Sequence, residues 1–114
     1  VEYAQSMEWM RRWRRQLAKL FRTVDIVVSP TTPLVTPLVH GTEMIGTTHR
    51  LTEKTYAWSM GGNPAVSVPV GFADGLPVGM QLAGAWWRDG MLLRTATAYQ
   101  SVTDWHSRRP AFNI

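Results

Sequence analysis

Residues 62–84 read GNPAVSVPVGFADGLPVGMQLAG, two Val-rich runs around an Asp-Gly pair, with large and small side chains in alternation. Successive side chains of an extended strand point to opposite faces. Val66, Val68, Val70 and Phe72 are therefore expected to face one way, and Ala65, Ser67, Pro69 and Gly71 the other. Val78, Met80 and Leu82 repeat the pattern against Gly79, Gln81 and Ala83. Asp74-Gly75 supplies the positive φ that a tight turn demands. The stretch predicts an antiparallel hairpin of strands 65–72 and 77–84, with one bulky face for a core and one small face that a helix, a second backbone or a ligand can approach. Pro69 withholds a ladder donor, so its strand belongs at an edge or is irregular there.

Working outward, residues 2–22 form an amphipathic pattern. Trp9, Trp13, Leu17 and Phe21 recur every four residues, flanked by Met10 and Leu20, and the opposite face is basic. Residues 24–29, β-branched and closed by Pro30, predict a buried strand. Pro33, Pro37, Gly41 and Gly46 break up residues 31–50, which predicts a long surface connection. A helix is expected over 52–61, with Thr52 as its N-cap, Glu53 in the first turn and Gly61-Gly62 as its stop. Asp89 is expected to cap a last helix over 90–102, with Leu92, Ala96 and Tyr99 on one face, followed by a peripheral tail. Helices and strands mixed in this order argue α/β or α+β, without internal repeats.

With 114 residues the chain is one domain at most, or a piece of one, and its 45% hydrophobic content predicts a packed core. The absence of cysteine excludes disulfides, thiolate catalysis and Cys-ligated zinc, and fits a reducing cytoplasm. No apolar run approaches the roughly 20 residues of a membrane span. Val1 in place of an initiating Met suggests a fragment or a processed product. Six basic residues against two acidic ones in positions 1–22 account for the entire formal charge of +4.

Candidate chemistry is sparse. His40, His49 and His106 lack the i, i+4 spacing of a helical metal site and read as surface or loop histidines. Ser29 and Ser67 need a base within reach to act as nucleophiles, and neither lies in a Gly-x-Ser-x-Gly elbow. Lys19 and Lys54 fall on predicted helices and read as solvated, while Asp74 and Asp89 are explained by a turn and a cap. Gly61-Gly62 leads into a strand rather than a helix, so it is no phosphate loop. The basic helix, RRWRRQLAKLFR, could serve a stand-alone interaction module on an anionic partner, membrane surface or nucleic acid. A core-facing helix with a solvated basic face is the preferred reading.

Together VDIVVSPTTP, GNPAVSVPVGFADGLPVGMQLAG, LLRTATAYQ and TDWHSRRP resemble the C-terminal end of amidase signature hydrolases, from about Asp25 to Pro110. That family also includes the A subunit of the tRNA-dependent amidotransferase. The resemblance implies a large α/β fold on a mixed sheet flanked by helices, of which residues 1–114 would be one C-terminal segment. It implies hydrolysis of carboxylic amides without metal or cofactor, by a Ser nucleophile, a second Ser in a cis peptide and a Lys base. Those catalytic residues lie in an earlier Lys region and a Gly-Gly-Ser-Ser-Gly type segment that this sequence does not contain, so no position here inherits a catalytic role. What carries over is a pocket border at Thr52, Thr55, Trp58 and Ser59. Family members often carry Asn where Ser59 stands; amidotransferase-like members carry an acidic residue where Thr52 stands, and that departure favours a general amidase. The implied partners are the rest of the amidase chain and a small amide substrate, with self-association or strand exchange of the isolated piece and no nucleic acid or membrane. The small face of the hairpin is then expected to await the missing portion.

Overall fold

A computed structural model describes residues 1–38 and 43–110. His40 lies outside the described residues. Helix α1 spans Glu2–Leu20, a stretch without Gly or Pro, and closes through Phe21 N–H to the Leu17 carbonyl at 3.0 Å. Strand β1, Ile26–Pro30, follows. Helix α2 covers Met44–Gly61, strands β2 and β3 cover Ala65–Ala73 and Leu76–Gly84, and helix α3 covers Asp89–Ser101. A 3-10 turn, Trp105–Ser107, ends the described chain's regular structure. The α/β class and all three strands of the sequence reading are present, shifted by a residue or two at their ends.

The hairpin forms as its sequence dictates. Asp74 and Gly75 alone separate β2 from β3, with φ of 52° and 76°, the doubly positive pair of a turn that matches strand twist. β1 pairs antiparallel with the other side of β3, giving the order β1-β3-β2. Pro69 does lie on an outer strand, and the ladder breaks just after it, between Pro69 and Gly71. The extra residue inverts the alternation. Phe72 is therefore not on the bulky face with Val66 and Val68, as alternation predicted, but pairs opposite Pro77 and meets the ring of Trp105 at 6.2 Å.

The two faces of the sheet build two cores. On the bulky face Val68 and Leu82 pack with Leu92 and Ala96 of α3, joined by Ile26, Val66, Val70, Met80 and Tyr99. On the small face Ala83 packs with Leu17 of α1 and Trp58 of α2, joined by Trp13, Phe21, Val27 and Ala57. The small face of β3 is thus covered by this chain's own helices, which corrects the expectation that it awaits a missing portion. Its β2 half, at Ala65 and Ser67, and its turn end, at Phe72 and Pro77, remain exposed.

Three helical expectations also change. α2 starts eight residues before Thr52, because Glu43 caps it: its carboxylate accepts from Ile45 N–H at 2.9 Å and Gly46 N–H at 2.6 Å. Side-chain capping outweighs the Thr- and Gly-rich composition of that first stretch. Asp89 is the first residue of α3 and makes no capping bond, with Arg88 at the cap position. On α1 the inward stripe is Met10, Trp13, Leu17 and Phe21, whereas Trp9 is 66% exposed beneath the Arg12 guanidinium. A period of four drifts about 40° per repeat against the 3.6-residue turn, so one end of such a series leaves the core.

Candidate functional site

The expected pocket border lies on α2, whose C-terminal end is firmly anchored. Gly62 closes the helix in the left-handed conformation, donating its N–H to the Trp58 carbonyl at 2.8 Å. Asn63 Nδ2 donates to the Gly84 carbonyl at 2.8 Å, Gly84 N–H donates to the Pro64 carbonyl at 3.1 Å, and Trp86 Nε1 donates to the Gly61 carbonyl at 3.0 Å. These bonds fix the helix end to the end of β3. Gly61 is buried with Leu17 Cδ1 and Asn63 Oδ1 filling the space a side chain would take. Midway along the helix, buried Gln81 donates to the Lys54 carbonyl at 3.1 Å.

On this fixed helix Thr52, Thr55 and Ser59 share one lateral face, three and four residues apart. Their hydroxyls donate to helix carbonyls: Thr52 to Thr48 at 2.9 Å, Thr55 to Thr52 at 3.0 Å and Ser59 to Thr55 at 3.3 Å. Each oxygen still has lone pairs to offer a donor. Ser59 is exposed, and Thr52 and Thr55 are half-buried. Trp58 does not share this face. It is 9% exposed, its ring is 6.3 Å from that of Phe21, and its indole N–H has no partner among the described residues. The structure thus brings three of the four border residues together and turns the fourth toward the interior.

A second polar feature escaped the sequence reading. Ser29, Gln81 and Ser67 stand opposite one another in register across β1, β3 and β2, and Gln81 Nε2 reaches Ser29 Oγ at 3.4 Å. Thr31 hydrogen-bonds Ser67 through their hydroxyls. Gly79 makes room for that pair, since a Cβ there would lie 2.8 Å from both oxygens. The missed signal was the small face itself, whose polar members are just these residues.

Neither serine has a base among the described residues. Ser67 is bonded to a hydroxyl and Ser29 to an amide, while Lys54 is ion-paired with Glu53 at 3.0 Å at the surface. His49 and His106 are exposed, and the described residues contain no cluster of three or more metal-ligating side chains. No helix among the described residues is long and apolar enough to cross a membrane.

A three-stranded sheet lies between α3 on one face and the α1–α2 pair on the other, which defines an α/β unit. The Amidase family model matches residues 1–93, and the chain belongs to that family. The A subunit of glutamyl-tRNA(Gln) amidotransferase from Thioalkalivibrio sulfidiphilus is 38% identical over 95% of the chain and 22% of its own length. The crystal structure of the A subunit of the same amidotransferase from Thermotoga maritima superposes with a TM-score of 0.84 at 28% identity, covering 89% of this chain and 22% of that one. The native peptide amidase of Stenotrophomonas maltophilia superposes with a TM-score of 0.69 at 26% identity, covering 95% and 22%. The chain therefore spans about a fifth of the length of these relatives.

Proposed function

We propose that this chain forms the C-terminal portion of an enzyme that hydrolyses carboxylic amides to an acid and ammonia or an amine. The observation that carries the reading is the family match over residues 1–93, in a chain spanning only 22% of its relatives' length. In this reading the Ser nucleophile, the second Ser and the Lys base come from polypeptide preceding Val1. The 114 residues supply scaffold and one pocket wall, the face of Thr52, Thr55 and Ser59, with Trp58 setting the helix behind it. Thr52 carries no charge, which favours a general amidase over glutaminyl-tRNA chemistry. In this reading the isolated chain is inactive, and a cytoplasmic setting is compatible with its lack of cysteine.

Assay of acid release from a panel of simple amides tests this. The full-length polypeptide is expected to turn over at least one amide and the 114-residue chain none. Turnover by the short chain, lost on substitution of Ser29 or Ser67, would refute the assignment. The outer edges of β1 and β2 and the exposed Val28, 58% accessible, also favour self-association of the short chain. A strictly monomeric scattering profile at high concentration would contradict that part.

A second reading rests on α1. Arg11, Arg12, Arg15 and Lys19 fall within an arc of about 100° on its outer face, where Glu8 pairs with Arg15 at 3.0 Å and Arg11 at 3.8 Å. Such a strip suits an interaction module with an anionic partner. Salt-dependent binding to anionic vesicles or acidic protein by the short chain, without amide turnover by any longer product, would favour it over the amidase reading.

A further inference from the structure

At the end of the hairpin farthest from α2's anchored terminus, the tail folds back against β2 and encloses a cleft of about 490 Å³. Its walls are Pro69, Phe72, Leu76, Pro77 and Trp105, and its rim is formed by His106 and the two guanidinium groups of Arg108 and Arg109. The cleft exists because of the ladder break. Gly71 sits at φ 145°, a conformation that side chains disfavour, and a Cβ there would stand in ordinary van der Waals contact with Trp105 Cζ2 at 3.9 Å. Trp105 is held from two sides, by the edge of Phe72 at 6.2 Å and by the Arg108 guanidinium 4.3 Å above its ring.

The two arginines differ in what they have left to offer. Arg108 is spent on its stacking and on Asp104, 3.2 Å away. Arg109 forms no ion pair among the described residues. One of its nitrogens, Nη1, donates to the His106 carbonyl at 2.8 Å and to the Arg108 carbonyl at 3.2 Å. Those bonds steady the guanidinium at the rim while its remaining N–H groups keep the planar geometry that matches a carboxylate. Among the described residues no carboxylate side chain lines the cleft.

We propose that this cleft is a binding site for a small apolar carboxylate about one aromatic ring in size. The ring lies against the wall formed by Phe72, Pro77 and Trp105, and the carboxylate is held at Arg109. The volume falls in the range of small-molecule pockets, the aromatic walls suit a ring, and the unpaired guanidinium selects the anion over a neutral analogue.

Calorimetric titration of the full-length polypeptide with phenylacetate and with 2-phenylethanol tests the assignment. The acid is expected to bind about tenfold or more tightly than the alcohol at low salt, as a charge-assisted pair implies. Arg109→Ala should remove that preference while leaving the alcohol's weak binding, and Phe72→Ala should weaken both ligands. Equal affinity for acid and alcohol, no measurable binding of either, or acid binding unchanged in Arg109→Ala would each overturn the proposal. The last result would place the acid elsewhere on the protein.

Discussion

Gln81, in the middle strand, donates its buried side-chain amide to the backbone carbonyl of Lys54 across 3.1 Å and so ties the sheet to the centre of α2. The amide is 4% exposed. Replacing it with Leu removes the tie and leaves an apolar side chain against a polar row that includes Ser29. Such a loss at a buried site is expected to cost about 1–3 kcal/mol, read as a lower midpoint in urea. Unchanged stability would mean that the helix is held by its apolar contacts alone.

Gly61 of α2 is packed against Leu17 of α1. A methyl group there would displace Leu17 Cδ1 and Asn63 Oδ1. Gly61→Ala, ordinarily favourable within a helix, is therefore expected to destabilise by about 1–3 kcal/mol through overpacking. Chemical denaturation measures it, and a gain in stability would show that α1 can shift freely on α2.

The tryptophans of α1 should separate sharply. Trp13 is packed into the small-face core and its Nε1 donates to the Ala57 carbonyl at 2.7 Å, whereas Trp9 is largely in solvent. Trp13→Ala is expected to cost about 3–5 kcal/mol and Trp9→Ala less than about 0.5 kcal/mol. Matched urea titrations of the two variants decide this, and equal losses would place Trp9 in a contact that the present fold does not contain.

If the lateral face of α2 borders a substrate pocket, changes there should be felt in kinetics and not in stability. Thr52→Ala and Ser59→Ala are expected to shift the urea midpoint by less than about 0.5 kcal/mol equivalent while raising KM for an amide substrate in the full-length enzyme. Unaltered KM in both variants would remove these residues from the pocket border.

The hairpin, the place of its turn, the three strands and the family were all legible in the linear chain, because each rests on local signals: alternation of period two, an Asp74-Gly75 pair that tolerates positive φ, and motifs contiguous along the chain. The core of α1 was legible in the same way at Trp13, Leu17 and Phe21, and the register Thr52, Thr55, Ser59 follows from helical spacing. What covers each face depended instead on packing. The small face of β3 turned out to be the seat of α1 and α2, since Ala83 and Gly61 let Trp58 and Leu17 approach more closely than a bulky face would allow. The helix start at Met44 depended on one carboxylate reaching two backbone donors, and the fate of Phe72 on a single extra residue in the ladder. Both are geometric events that composition and period do not encode. The cleft at Trp105 arises likewise, from residues some thirty positions apart that meet only because the tail turns back across β2.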